Sequence, residues 1–256
     1  MTFRPDTKKS LGQNWLVNQG VAERIVQAAE LMPDDIVLEV GPGAGVLTER
    51  IVPQVTSLIA IEKDHRLIDP LRERFADDEQ VRIEEGDILK ADVTSLGLAP
   101  HRYKVIANLP YYITSHFLRT MLTEWPVPSL AVLMVQKEVA LRMLAGPGSM
   151  NLLALSVQLY ASVEKLMDVS PGSFRPAPDV DSAVIRLRPL ILTTEERARQ
   201  ARTLVLAKRA FMHKRKQLGS TVDAPLLQRC GIDPSRRPQE LSLDEFLCLA
   251  GNTGEQ

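Results

Sequence analysis

The tetrapeptide Asn108-Leu109-Pro110-Tyr111 places an amide, a rigid carbonyl and an aromatic ring within four residues. Two acceptors, the Asn108 side-chain carbonyl and the Pro110 backbone carbonyl, can hold both hydrogens of an exocyclic amine. Such an amine is a poor nucleophile because its lone pair is delocalised into the attached ring. Held by two acceptors, the nitrogen is drawn toward pyramidal geometry and its lone pair is directed at an electrophile. Proline stiffens the turn and offers no competing N–H. Tyr111 adds a flat surface for an extruded base, where stacking contributes about 1–3 kcal/mol. The chemistry such a loop suits is alkyl transfer to the N6 of adenine. It needs no strong general base, because the alkylated amine loses its proton to solvent. Phe174, in Ser173-Phe174-Arg175-Pro176, is the expected second stacking partner, sandwiching the base against Tyr111; its alternative is a staple on the core.

An electrophile needs a site of its own. Val37–Gly45 is an apolar run that enters a glycine-rich turn, with Gly41, Gly43 and Gly45 spaced G-x-G-x-G. Such a turn lets backbone approach a ligand at the carboxyl end of a strand. A dinucleotide fingerprint would put its third glycine at position 46, which is Val46. The spacing therefore favours an adenosyl cofactor without a pyrophosphate over a nicotinamide. Glu62 ends the next β-rich run and is expected to accept from both ribose hydroxyls. Asp87, followed by Ile88 in Glu-Gly-Asp-Ile-Leu, is expected to accept from the cofactor's adenine amine. Glu39 has two readings: facing the methionine end through a water, or capping the glycine turn.

These groups must be positioned by a parallel sheet covered with helices. Expected strands are Ile36–Val40, Ser57–Glu62, Val81–Glu85, Lys104–Asn108 and Leu130–Val135, with further strands at Leu155–Val163 and Ser182–Leu187. Helical spacing falls at Val46–Val52, Arg66–Phe75 and Ser115–Leu122. Asn18–Leu31 reads as an amphipathic helix with Val21, Ile25, Ala28 and Ala29 on one face. After Pro189 come a long basic helical stretch, Thr194–Gln217, and two or three short helices within Leu218–Leu249. The expected organisation is an α/β catalytic domain over 1–189 and a small helical domain over 190–256.

Hydrophobic residues make up 45% and charged residues 25%, the balance of a folded chain rather than a disordered one. No apolar run reaches the roughly 18 residues of a membrane span, and the N-terminus has no apolar signal region. A cytoplasmic protein is expected, with Cys230 and Cys248 as reduced core thiols. The net charge of −1 argues against a uniformly basic nucleic-acid binder. Its distribution argues otherwise, because residues 197–216 carry eight Lys/Arg and no acid. A polyanion needs a local patch of this kind. Lys208, Arg209, Lys214, Arg215 and Lys216 are the expected RNA contacts; a solvated helix face is the alternative.

The segments SLGQNWL (10–16), VLEVGPGAGVLT (37–48), IEKD (61–64), EGDIL (85–89), NLPYYIT (108–114), MVQKEVA (134–140), FRPAPDVDSAVIRL (174–187) and KRAFMHKRKQL (208–218) together resemble the ribosomal RNA adenine N6,N6-dimethyltransferases of the small-subunit (KsgA/RsmA) type. The resemblance implies a class I S-adenosylmethionine-dependent methyltransferase domain, Rossmann-like with a mostly parallel sheet, plus a small C-terminal all-α domain. It implies dimethylation of two adjacent adenosines near the 3′ end of small-subunit ribosomal RNA, within an assembling 30S-type particle. The implied cofactor is S-adenosylmethionine, held by Asn14, Leu16, Gly41, Gly43, Glu62, Asp87, Ile88 and Asn108. No metal site and no membrane association are implied, and nothing demands more than a monomer. Trp15 stands where the family commonly has phenylalanine, Tyr112 where it has asparagine, and segment 146–155 departs from the usual pattern. Three alternatives remain: a large-subunit RNA dimethyltransferase of the macrolide-resistance type, a non-catalytic ribosome assembly factor, and a nicotinamide-dependent oxidoreductase.

Overall fold

The computed structural model describes residues 12–251. The first 140 residues form the five strands expected of them, β2 (Ile36–Val40), β3 (Ser57–Glu62), β4 (Val81–Glu85), β5 (Lys104–Asn108) and β6 (Leu130–Gln136), largely apolar except for β4, where Val81 and Ile83 alternate with Arg82 and Glu84. Before them lies a two-residue β1 (Trp15–Leu16); after them come β7 (Ala161–Val169), β8 (Phe174–Arg175) and β9 (Ser182–Pro189). The sheet order is β4-β3-β2-β5-β6-β9-β7. β2 pairs in parallel with both β3 and β5, whereas β9 runs antiparallel to β6. The fold is the doubly wound α/β class of class I methyltransferases. Strand order reverses between β2 and β5, where a crevice opens beyond the carboxyl ends.

Register decides which residues share that crevice. Val40 lies opposite Ile61 on one side and Ala107 on the other. Gly41, Glu62 and Asn108 therefore leave the sheet at one edge. Glu62 pairs with Glu85, which brings Gly86 and Asp87 to the same edge. Leu38, Val105, Ile106, Val132 and Leu133 are fully buried, as strands covered on both faces require. Burying each such side chain stabilises the fold by about 1.5–3 kcal/mol.

The helices follow from local signals. α1 (Gln19–Ala28) starts where the Asn18 side chain accepts the Val21 N–H at 3.2 Å. Its buried face is Ala22, Ile25 and Val26, with Ala29 at the cap; Val21 and Ala28, expected inside, are only partly covered. α2 (Thr48–Ile51) follows the glycine turn, and α3 (His65–Arg74) starts at Asp64, whose carboxylate accepts the Arg66 N–H. α4 (Thr114–Thr123) and α5 (Lys137–Met143) follow β5 and β6.

Packing divides the chain into two units, Met1–Ala140 with Glu164–Pro189, and Leu141–Val163 with Leu190–Gln256. The boundary after Pro189 falls where composition changes. The stretch 141–163, expected inside a continuous first domain, belongs instead with the C-terminal helices. Part of it also differs in type: Leu155–Gln158, expected as strand, lies in α6 (Leu152–Gln158). Asn151 is the reason. Its side-chain oxygen accepts the Leu153 and Ala154 N–H groups at 3.1 Å each, and a capped leucine- and alanine-rich run favours helix.

In the second unit, α7 (Thr194–Met212) opens with a Thr193–Glu196 capping box. It packs with α9 (Leu243–Gly251) through stacked Phe211 and Phe246 rings, 6.0 Å apart, and the Arg199 guanidinium donates to the Leu247 carbonyl at 3.0 Å. α8 (Ala224–Arg229) lies between them in sequence. Cys230 and Cys248 are joined in a disulfide, which corrects the expectation of two reduced thiols. Residues 18 apart in sequence meet because the end of α8 returns beside α9, with Cα atoms 5.9 Å apart.

Candidate active site

A cleft of about 1090 Å³, mouth included, opens at the sheet edge of the first unit. Gly41, Pro42, Gly43 and Ala44 form one wall, Glu62, Lys63, Asp87 and Ile88 another, and Asn108 to Ile113 a third. Gly12 to Leu16 close a further side. The three chain regions singled out for chemistry thus meet in one cavity. Among the described residues the expected cofactor positions Asn14, Leu16, Gly41, Gly43, Glu62, Asp87, Ile88 and Asn108 all border it.

The turn after β2 works because its glycines adopt a conformation that side chains resist. Gly41, Gly43 and Gly45 have φ of 68°, 59° and 78°. At Gly43 space is also limiting: a Cβ there would stand 2.9 Å from Trp15 Cζ3. The indole thus lies directly over the turn. β1 pairs with β8 in the register Trp15 to Arg175 and Leu16 to Phe174, which fixes that segment. The side chain of Gln13 donates to Asp64 at 2.8 Å, tying the same segment to the start of α3.

Glu62 is buried, and its two oxygens accept backbone N–H groups from Gly43 (3.0 Å) and Asp64 (2.8 Å). Burial raises its pKa, and these hydrogen bonds only partly offset the rise. Each carboxylate oxygen keeps a lone pair for a further donor. Asp87 forms an ion pair with Lys63 at 2.9 Å and accepts the Leu89 N–H at 3.1 Å. Burial pulls its pKa up, but the Lys63 ammonium and that N–H outweigh burial and the pKa is lowered. Asp87 therefore faces the cleft as a carboxylate. Ile88, buried beside it, supplies an apolar surface.

Glu39 does not border the cleft among the described residues. It is buried and accepts the Thr48 hydroxyl at 2.7 Å, joining the end of β2 to the first residue of α2. Of its two readings, the one that tethers the glycine turn matches this geometry. Burial pushes its pKa up to about 8, against the Thr48 hydrogen bond.

On the third wall, the Asn108 amide nitrogen donates to the Asn14 carbonyl at 3.4 Å, leaving the side-chain oxygen as the end available to accept. The Pro110 carbonyl already accepts the Ile113 N–H at 3.2 Å and has a second lone pair. Leu109 buries its side chain and donates its N–H to Met134, so it anchors the loop to β6. The Tyr111 hydroxyl is 2.7 Å from Ser182 Oγ, a partner 71 residues away that fixes the ring. Phe174 is 1% exposed and belongs to the apolar core. It borders the cleft, yet its burial matches the staple rather than an open stacking face.

Sequence reasoning missed Lys63, Ser182, Gln13 and the Trp15 contact. Asn14 and Leu16 came from resemblance alone. None of these carries a local signal, since each acts through a residue distant in the chain. Of the expected RNA contacts, Lys208 and Arg209 lie on α7 and Lys214, Arg215 and Lys216 in the turn after it; all are exposed. They belong to the second unit, and the cleft to the first.

The family described as ribosomal RNA adenine dimethylase matches residues 5–229. The ribosomal RNA small subunit methyltransferase A of Dehalococcoides mccartyi (strain BAV1) is 41% identical over 259 residues, covering 96% of this chain and 89% of that protein. The protein of the same name from Geobacter metallireducens is 42% identical, covering 95% and 94%. Among solved structures, a dimethyladenosine transferase from Plasmodium falciparum superposes with a TM-score of 0.77 at 29% identity, covering 92% of this chain and 95% of that one. The 23S rRNA methyltransferase ErmE gives 0.76 at 25% identity, covering 94% and 100%. By these matches over nearly its whole length, the chain belongs to the ribosomal RNA adenine dimethylase family.

Proposed function

We propose that this protein transfers methyl groups from S-adenosylmethionine to the N6 amines of two adjacent adenosines near the 3′ end of small-subunit ribosomal RNA. The reading places it in the cytoplasm, as a monomer acting on a late assembling small subunit. The observation that supports it most is the convergence of the Asn108–Tyr111 loop, the glycine turn and two strand-end carboxylates on one cleft. Relatives more than 40% identical over nearly the whole chain are named for the small subunit, whereas ErmE, named for 23S rRNA, is 25% identical. No described helix is long and apolar enough to cross a membrane.

The cleft fits an adenosyl group. Its backbone-lined turn, paired acceptors and buried isoleucine match the edges and faces of a nucleoside carrying a short charged tail. In this reading Glu62 accepts the ribose hydroxyls, Asp87 accepts the adenine amine, and Ile88 covers the ring. Asn14, Leu16 and Trp15 close the cofactor side against water. S-adenosylmethionine supplies an electrophilic methyl when bound. The side-chain oxygen of Asn108 and the free lone pair of the Pro110 carbonyl hold the two hydrogens of the target amine. Tyr111, its hydroxyl tied to Ser182, holds the target ring flat. Preorganised acceptors of this kind commonly contribute two to three orders of magnitude in rate, roughly 3–4 kcal/mol. After transfer the amine releases its proton to solvent. On the second unit, Lys208, Arg209, Lys214, Arg215 and Lys216 contact RNA phosphates.

Tritiated methyl transfer to unmodified small and large subunits, followed by nucleoside analysis and a primer-extension stop map, tests the reading. Label in N6,N6-dimethyladenosine at two neighbouring small-subunit positions supports it. Label confined to large subunits identifies the macrolide-resistance type, and binding to subunits without label identifies a non-catalytic factor.

A further inference from the structure

The residue after the catalytic loop, Tyr112, is 60% exposed although it lines the cleft. We propose that Tyr112 is the platform on which the second adenosine of the pair stacks while the first occupies the cleft. This inference rests on the reading above, in which two adjacent adenosines are modified.

The geometry of the turn separates the two tyrosines. Tyr111–Ile113 form one 3₁₀ turn, closed by the Ile113 N–H on the Pro110 carbonyl. Successive side chains on such a turn diverge by about 120°. Tyr111 points to Ser182, and Tyr112 turns to the rim beside Gly12. A Cβ on Gly12, whose φ is 59°, would stand 3.5 Å from Cδ1 and Cε1 of the Tyr112 ring. One side of the ring is thus seated on that backbone, and the exposed remainder faces outward. A seated aromatic with an open face is the arrangement that binds an unpaired base without reading its edges.

The other aromatics near the cleft are committed elsewhere. Phe174 is buried in the core, Tyr111 is tethered, and Trp15 lies on Gly43. When one nucleotide is extruded into the cleft, its neighbour loses a stacking partner and remains one nucleotide away, at the rim. Tyr112 replaces that lost surface.

The test compares wild type, Tyr112→Phe and Tyr112→Ala on small subunits with unmethylated RNA, and on subunits in which one adenosine of the pair is replaced by uridine. Titration with S-adenosylmethionine alone gives each variant's cofactor affinity. Tyr112→Ala should raise KM for the adenosine pair about tenfold, the scale of one lost base–aromatic stack. The fall in kcat should be smaller, cofactor affinity should hold, and Tyr112→Phe should match wild type. The Tyr112→Ala penalty should shrink on uridine-containing subunits, because a pyrimidine stacks less well. An unchanged KM, or a penalty equal on both substrates, overturns the proposal. So does a loss confined to cofactor affinity, which makes the ring a cover for the cofactor. A wild-type protein that forms no N6,N6-dimethyladenosine fails the underlying function before any variant is compared.

Discussion

Replacing Glu39 with glutamine should change how the stability of the first unit depends on pH. Glu39 is buried, with one oxygen accepting from Thr48 and the other without a hydrogen-bond partner. Its pKa rises from 4.5 to about 8 because burial penalises the charged form. The native state therefore holds a proton that the unfolded chain releases above pH 4.5. Stability from this group is complete below pH 4.5 and is lost as pH rises toward 8, at about 1.4 kcal/mol per unit. The whole span amounts to roughly 5 kcal/mol, and about 3 kcal/mol is gone by pH 7. Glutamine keeps the carbonyl that accepts from Thr48 and cannot ionise. Urea denaturation at pH 5, 7 and 9, followed by Trp15 and Trp125 fluorescence, measures the effect, since both tryptophans lie in the first unit. Glu39→Gln should lie within about 1 kcal/mol of wild type at pH 5, exceed it by about 3 kcal/mol at pH 7 and reach the full difference of roughly 5 kcal/mol by pH 9. Parallel curves for the two proteins would refute the assignment of a neutral Glu39, because every other titrating group is common to both.

Gly43→Ala should lower stability by about 1–2 kcal/mol for a side chain at positive φ, and calorimetry should show at least a tenfold loss of S-adenosylmethionine affinity as Trp15 is displaced. An alanine variant with wild-type affinity would mean that the turn is not the cofactor wall. Reversing Lys214, Arg215 and Lys216 to glutamate should weaken binding to small-subunit RNA and reduce the slope of log affinity against log salt by about 2. The same slope in the variant would move the RNA contact elsewhere. Cys230→Ser should destabilise the second unit by about 3 kcal/mol, the scale expected for a loop of this size. Two titratable thiols in unreduced, denatured wild type would contradict the disulfide.

Much of the sheet and its edge was legible because those signals are local. Ile36–Val40, Ser57–Glu62 and Lys104–Asn108 announce themselves as mostly apolar runs and Val81–Glu85 by Val81 and Ile83 at alternate positions; a glycine turn, an acid or the Asn108–Tyr111 loop marks where each ends. Parallel register then brings those ends together. Contacts between distant segments carried no such mark. Nothing near Tyr111 points to Ser182, and nothing near Trp15 points to Gly43. Leu155–Gln158 misled because an apolar run suits a buried strand or helix equally, and the Asn151 cap decided between them. Cys230 and Cys248 were read from number and compartment, whereas their pairing depends on how the C-terminal helices return on one another. Phe174 has the aromatic character of a stacking residue, but the β1–β8 pairing encloses it.

The central claim is that Asn108 orients the target amine. Single-turnover methyl transfer to unmodified small subunits, with RNA and S-adenosylmethionine both saturating, tests it most directly. Asn108→Ala should lose roughly a hundredfold or more in rate under conditions where occupancy cannot explain the loss. A rate within a few-fold of wild type would contradict the account.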